Sequence, residues 1–140
     1  MLNSLTAPLS ANLDLFQIAD HCEMFAIELA ECRDDVTRLV ICGRLAHSLD
    51  VLNRAFDKPL PAHLIERLTV DVLPAEPQPP APDSDLICSY SHALTQALLS
   101  CALTPEVTSK LAGLLFELVT ALVEDLKVPR FIREKGVSHA

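Results

Sequence analysis

Apolar residues recur every three or four positions along most of this chain, which is the spacing of helices with one buried face. Asn12 or Asp14 offers an N-cap for the first helix. Its predicted buried face consists of Leu15, Ile18, Cys22, Phe25, Ala26 and Leu29. The next apolar positions fall on nearly the opposite side of a continuous helix, at Ile41, Leu45, Leu49, Leu52 and Phe56.

This change of phase has two interpretations. Either the chain turns near residues 31–35, with Asp34 or Asp35 capping a second helix, or one long helix buries different sides at its two ends. We favour the turn, although no glycine or proline marks it.

Prolines predict the next boundaries. The second helix should end at Asp57-Lys58, because Pro59 restricts the residue before it to extended conformations. Pro61 suits the first position of a short third helix over about residues 61–70.

The fourth helix is predicted to run from Ser84 or Asp85 to Leu103. Its predicted apolar face consists of Leu86, Ile87, Tyr90, Ala93, Leu94, Ala97 and Cys101. Thr104-Pro105-Glu106 then supplies a capping hydroxyl, a first-turn proline and an acid. A fifth helix should therefore follow over about residues 105–127, in an antiparallel hairpin with the fourth.

The fifth helix is apolar on more than one side. Its charges form a narrow stripe of Lys110, Glu117 and Glu124 over most of its length. Because so narrow a polar stripe is typical of a helix covered by several neighbours, we expect a homodimer. The residues predicted at the dimer interface are Phe116, Val119 and Val123.

Residues 72–83 hold five of the ten prolines and separate the two helical halves. In a polyproline II conformation such a segment spans about 37 Å, enough to cross the length of a bundle or to exchange a half between two chains. A solvated surface loop is the simpler interpretation, and its PxxP patterns also suit a peptide-binding groove. The predicted fold is one all-α domain over residues 1–140: a bundle of four longer helices plus one short helix, with halves 12–70 and 84–128 and a tail from 129.

Charge narrows the classes of partner. The formal net charge is −8, and neither half of the chain is basic, which disfavours nucleic acid and favours a basic protein partner. The N-terminus lacks the features of a signal peptide, and polar residues dilute the one uncharged stretch that is long enough for a membrane span. We expect a cytoplasmic protein.

Five cysteines lie within apolar helical patterns without a CxxC pair, so we expect buried, reduced thiols. Cys88 and His92 are spaced to share a metal ion on one helix, but no further ligand is specified. The spacings of Glu28 with Glu31 and of His63 with Glu66 do not form a di-iron motif. No motif indicates catalysis, a metal or a cofactor, and an enzyme is the least supported class.

The first helix offers a candidate partner surface. Met24 and Ile27 point outward on a regular helix, among four acidic residues: Asp20, Glu23, Glu31 and Asp34. Exposed apolar side chains ringed by one sign of charge can mark a partner site, and contact with another part of the chain is the alternative. The leading hypothesis is a non-catalytic interaction or regulatory protein acting as a homodimer. A small-ligand or metal-binding bundle is the second, with Ser89, His92, Thr95 and Gln96 lining a pocket.

Overall fold

The computed structural model describes residues 13–70 and 84–128 and the backbone of residues 131–132. Its helices are α1 (Leu15–Glu31), α2 (Asp35–Ala55), α3 (Ala62–Arg67), α4 (Ser84–Leu99) and α5 (Pro105–Leu126). Two short strands, β1 (Thr69–Val70) and β2 (Phe131–Ile132), pair in parallel. The predicted all-α fold, with four longer helices and a short one, is confirmed.

Aspartates separate the first two helices, which confirms the predicted turn. The backbone N–H of Thr37 donates to the Asp34 carboxylate over 2.8 Å, so Asp34 is the N-cap of α2. Asp14 caps α1 in the same way, and the Gln17 side chain accepts a hydrogen bond from the Asp14 N–H in return. These caps satisfy backbone donors that the first turn of a helix leaves without partners.

The four long helices form a cycle in which α1 packs on α2 and α5, and α4 packs on the same two neighbours. Neighbouring helices run antiparallel. The Cys42 thiol donates to the Thr95 carbonyl and the Cys88 thiol to the Leu49 carbonyl, so α2 and α4 run in opposite directions. We call the end with the α1–α2 and α4–α5 turns the turn end. The architecture is an up-down-up-down bundle.

The predicted core face of the first hairpin is largely confirmed. Of the positions predicted in α1 and α2, all are buried except Leu15 and Phe56, which are half-buried. In α5, Leu115 and Leu122 are buried in the core, whereas Leu114 is exposed. The core therefore lies on the axis of the bundle, where all four long helices contribute.

A second, smaller apolar cluster closes the end opposite the turn end. There α3 lies across the start of α1, and Leu64 and Leu68 bury Phe16. The Arg67 guanidinium lies 4.5 Å from the centroid of the Phe16 ring. The third helix is shorter than predicted, because β1 begins at Thr69. Strands of two residues carry no periodicity, so the sequence did not predict the β1–β2 pair.

The proline segment lies outside the described residues, but the residues that flank it are informative. β1 follows α3, which packs on the start of α1, and the Ser84 hydroxyl donates to the Asp125 carboxylate near the end of α5. Both flanks therefore lie at the end opposite the turn end. Because of this, a connection between them does not need to run along the bundle.

The prediction for α4 was wrong in two respects. The helix ends at Leu99 rather than Leu103, because Cys101 adopts a left-handed backbone conformation with φ of 57°. Its buried face is also rotated: the buried side chains are Ile87, Cys88, Ser91, Thr95 and Leu98. Leu86, Tyr90 and Ala93 are exposed instead.

Small side chains explain this rotation. Ser91 and Thr95 are fully buried, and their hydroxyls donate to carbonyls of their own helix, at Ile87 over 2.8 Å and at His92 over 2.5 Å. Because the hydroxyls are satisfied within α4, their burial costs little. The small face lets α2 approach α4 closely enough for thiols to reach the backbone of the facing helix.

Candidate interaction surfaces

The outer side of the α4–α5 hairpin carries a row of apolar side chains on each helix. On α4 the row consists of Leu86, Tyr90, Ala93 and Ala97. On α5 it consists of Val107, Leu111, Leu114, Leu118 and Ala121. We call these nine residues the hairpin face. Helical spacing puts each row on the side of its helix that borders the other helix, so the two rows lie side by side.

The exposure of the hairpin face is substantial. Tyr90 is 55% exposed and Leu114 is 43% exposed, and Leu86 and Val107 are exposed to a similar degree. None of its nine side chains is charged. Its rows cover about four turns of helix, so the footprint is about 20 Å by about 20 Å. Exposed apolar patches of a few hundred Å² commonly mark interaction sites on soluble proteins.

The residues predicted at the dimer interface lie elsewhere. Val119 and Val123 are buried in the core of the chain itself, and Phe116 is half-buried against that core. Val119 and Val123 are therefore covered by their own chain, whereas Phe116 keeps part of its side chain exposed. The predicted homodimer is a separate matter and stays a prediction.

The predicted patch on α1 is only partly exposed. Ile27 is 38% exposed, but Met24 is half-buried and packs against the core. Among its acidic residues, Glu31 is exposed and Glu23 is half-buried, whereas Asp20 accepts a hydrogen bond of 2.6 Å from the Lys127 Nζ. The patch therefore has one apolar residue at its centre rather than two.

The ion pair between Asp20 and Lys127 also shows that α5 borders this patch. Because α1 and α5 run antiparallel from that contact, helical spacing places the exposed Glu117 and Glu124 of α5 beside Ile27. The spacing of charges along α5 predicts only that these glutamates belong to one narrow polar stripe. It does not predict that the stripe borders α1, because the pairing of the two helices cannot be read from spacing. The α1–α5 side is thus acidic, whereas the hairpin face is uncharged.

The predicted burial of the cysteines holds for three of the five. Burial raises the pKa of the Cys22 thiol, raises that of Cys42 to about 11, and raises that of Cys88 to about 12. These thiols stay protonated at neutral pH, and a protonated thiol is a poor nucleophile. Cys32 is half-buried and Cys101 is exposed, because both residues lie where a helix ends.

Cys88 and His92, whose spacing would suit a shared metal ion, lie at a small pocket between α2 and α4. Cys88 and His92 line a cavity of about 120 Å³ together with Asp50, Asn53 and Ser89. The Cys88 thiol already donates to the Leu49 carbonyl over 3.3 Å. Within the part of the chain that the structure describes, no group of three or more His, Cys, Asp or Glu side chains is arranged to hold a metal ion.

The polar residues that were predicted to line a ligand pocket on α4 are separated. Thr95 is buried, His92 is half-buried, and Ser89 and Gln96 are exposed. Of these four, only Ser89 and His92 line the cavity between α2 and α4.

Comparison of the chain with protein-family models, curated proteins and solved structures gave no match. Among residues 13–70 and 84–128, no helix is long and apolar enough to cross a membrane. The fold is thus an all-α helical bundle, and its exposed surfaces and cavities are the features that can indicate a function.

Proposed function

We propose that this protein is a non-catalytic interaction protein that acts as a homodimer, and that two copies associate through their hairpin faces. The observation that carries this proposal is the uncharged apolar surface that Leu86, Tyr90 and Leu114 expose on α4 and α5. Burial of such a surface is the main favourable term in most protein association.

Charge indicates where two copies of the chain could meet. The chain carries a formal net charge of −8, so two copies repel each other across most of their surfaces. The hairpin face has no charged side chain. Two copies that meet there therefore do not bring their acidic α1 sides into contact. A symmetric dimer needs one self-complementary patch, which two antiparallel helices provide.

The test replaces one residue of the hairpin face with a charge. Leu114→Glu would bury an unpaired carboxylate in the interface, so we expect its dimer dissociation constant to rise at least about a hundredfold. Ile27→Glu is the matched control, since Ile27 and Leu114 are 38% and 43% exposed on different sides of the bundle. Sedimentation velocity at micromolar concentration should give a dimer for the native chain and for Ile27→Glu, and a monomer for Leu114→Glu.

A native chain that sediments as a monomer would overturn the proposed homodimer. A dimer that persists in Leu114→Glu would place the interface outside the hairpin face. Loss of the dimer in both variants would show that the effect of the added charge is not specific to that face. Circular dichroism of each variant checks that the helices remain intact, so that dissociation is not mistaken for unfolding.

We further propose that the acidic α1–α5 side binds a basic partner around Ile27. The side chains that support this are Ile27 itself and the bordering Glu31, Glu117 and Glu124, which are all exposed. Ile27→Lys, which places a positive charge at the centre of this acidic surface, should then lose capture of an amphipathic peptide rich in lysine while it stays dimeric. Equal capture of that peptide by the native chain and by Ile27→Lys would exclude this surface.

A further inference from the structure

A second cavity, of about 220 Å³, opens at the turn end between α2, α4 and α5. The buried side chains of Cys42 and Leu98 line its inner part. Leu39, Leu103 and Pro105, which are partly or largely exposed, line its outer part. The cavity is therefore an opening at one end of the apolar core rather than a groove on the surface of the bundle.

Two charged residues, Asp35 and Arg38, join this apolar lining. Arg38 lines the cavity, and its guanidinium is held by two contacts: Nη1 to the Asp35 carboxylate over 2.8 Å and Nη2 to the Cys32 carbonyl over 3.3 Å. A guanidinium has five N–H groups, so Arg38 can keep both contacts and still donate to a ligand. An apolar pocket with one fixed donor is the usual arrangement of a small-molecule site.

The size of the cavity sets the size of the ligand. An apolar cavity of about 150 Å³ takes one benzene molecule. A cavity of about 220 Å³ therefore accommodates a single ring with a short substituent, or a branched aliphatic molecule of that size.

The charges around the cavity set the character of the ligand. Asp35 neutralises Arg38 at the rim, and the chain as a whole is acidic, so a second anion is disfavoured there. A cation would be repelled by the Arg38 guanidinium, and the carboxylate in the lining, that of Asp35, already pairs with that guanidinium. An uncharged molecule with a hydrogen-bond acceptor fits both the lining and the donor.

We infer that this cavity is a binding site for a small, uncharged, mainly apolar molecule whose acceptor group faces Arg38. Self-association plays no part in this site, because its lining comes from one chain. Cys101, the exposed cysteine, also lines the cavity and so reports on its occupancy.

The test uses acetophenone, an aromatic ketone with one acceptor, and benzoate as its anionic counterpart. Titration followed by amide NMR should give saturable shifts at Leu39, Cys42, Leu98 and Thr108, and benzoate should bind at least about tenfold more weakly. Saturating acetophenone should also slow alkylation of Cys101 by iodoacetamide, with Cys32 as the internal control.

Two adjacent substitutions localise the effect. Leu39→Trp enlarges a side chain of the cavity wall and should weaken acetophenone binding at least about tenfold. Val40→Trp is the matched control, since Val40 is 44% exposed against 39% for Leu39 but does not line the cavity. The inference fails if no saturable shift occurs, if both variants weaken binding equally, or if the shifts lie on the hairpin face.

Discussion

The two helical hairpins use their large apolar residues differently. In α1 and α2, side chains such as Phe25, Leu29 and Leu45 fill the core at the positions that periodicity predicts. In α4, the core receives Ser91 and Thr95 beside Ile87 and Leu98, while Leu86 and Tyr90 stay at the surface. Periodicity therefore identifies the apolar face of a helix. It does not indicate whether the same chain or another molecule covers that face.

The largest expected effect comes from the same substitution made once in each hairpin. Leu45→Ala removes a fully buried side chain and should lower the free energy of unfolding by about 2–5 kcal/mol. Leu114→Ala removes a partly exposed one and should lower it by less than about 0.5 kcal/mol. Urea denaturation measures both, in a background that carries Tyr90→Glu so that self-association does not contribute.

Equal losses in the two variants would contradict the comparison. They would mean that the single chain covers Leu114 as completely as Leu45, and the hairpin face would then not be available to a second copy.

The first hairpin shows how far the sequence predicts the fold. Asp34 could be predicted as a helix cap, and the change of phase between Leu29 and Ile41 indicated that a new apolar face begins. Both signals can be read from the sequence because each depends on residues only a few positions apart. Proline geometry likewise predicts that α2 ends before Pro59, although the helix ends at Ala55, two residues before the predicted Asp57-Lys58.

The second hairpin shows why the rest could not be predicted. The orientation of α4 depends on its contact with α2, where the Cys42 and Cys88 thiols reach carbonyls of the facing helix. Leu86 and Tyr90 are hydrophobic, so their hydrophobicity alone predicts that they lie in the core. They are exposed instead, because small side chains let α2 and α4 approach each other closely. That closeness depends on both helices together and cannot be read from the sequence of either one.

The candidate surfaces also differ in how much of each could be predicted from the sequence. Ile27 could be predicted as exposed from α1 alone, whereas the half-burial of Met24 depends on neighbouring helices. The cavity at the turn end combines residues from three helices, so no pattern in the sequence indicates it.

The helix caps provide an effect of intermediate size, since α1 in the first hairpin has a titratable cap, Asp14, and α5 in the second hairpin has a hydroxyl cap, Thr104. Asp14→Ala and Thr104→Ala should each lower the free energy of unfolding by about 1 kcal/mol at neutral pH. Although burial opposes it, hydrogen bonding to Gln17 and His63 and the nearby Arg67 hold the pKa of Asp14 below its ordinary value of 3.8.

The lowered pKa fixes the sign of the pH dependence. The contribution of Asp14 is complete above about pH 4 and is lost as the pH falls through its lower folded-state pKa. The difference between the native chain and Asp14→Ala should therefore shrink in strong acid, while the difference for Thr104→Ala stays constant. Urea denaturation at about pH 7 and about pH 2.5 checks this. A loss for Asp14→Ala that is the same at both pH values would show that its charge does not stabilise α1.

The smallest expected effect concerns the buried hydroxyl of Ser91. Its partner is the Ile87 carbonyl one turn earlier in α4, a group that the helix itself also satisfies. Ser91→Ala removes the donor without leaving that carbonyl unpaired, so we expect the free energy of unfolding to change by less than about 1 kcal/mol. Ser91→Leu is the control for size and should cost about 1–3 kcal/mol by overpacking the contact with α2.

This pair of variants separates two explanations for the orientation of α4. If Ser91→Ala is nearly neutral and Ser91→Leu is costly, the small volume of the buried face determines which side of α4 turns inward. The exposed Leu86 and Tyr90 are then a consequence of close packing between α2 and α4. If Ser91→Ala instead costs more than about 2 kcal/mol, the hydroxyl itself is required, and polar contacts rather than size orient the helix.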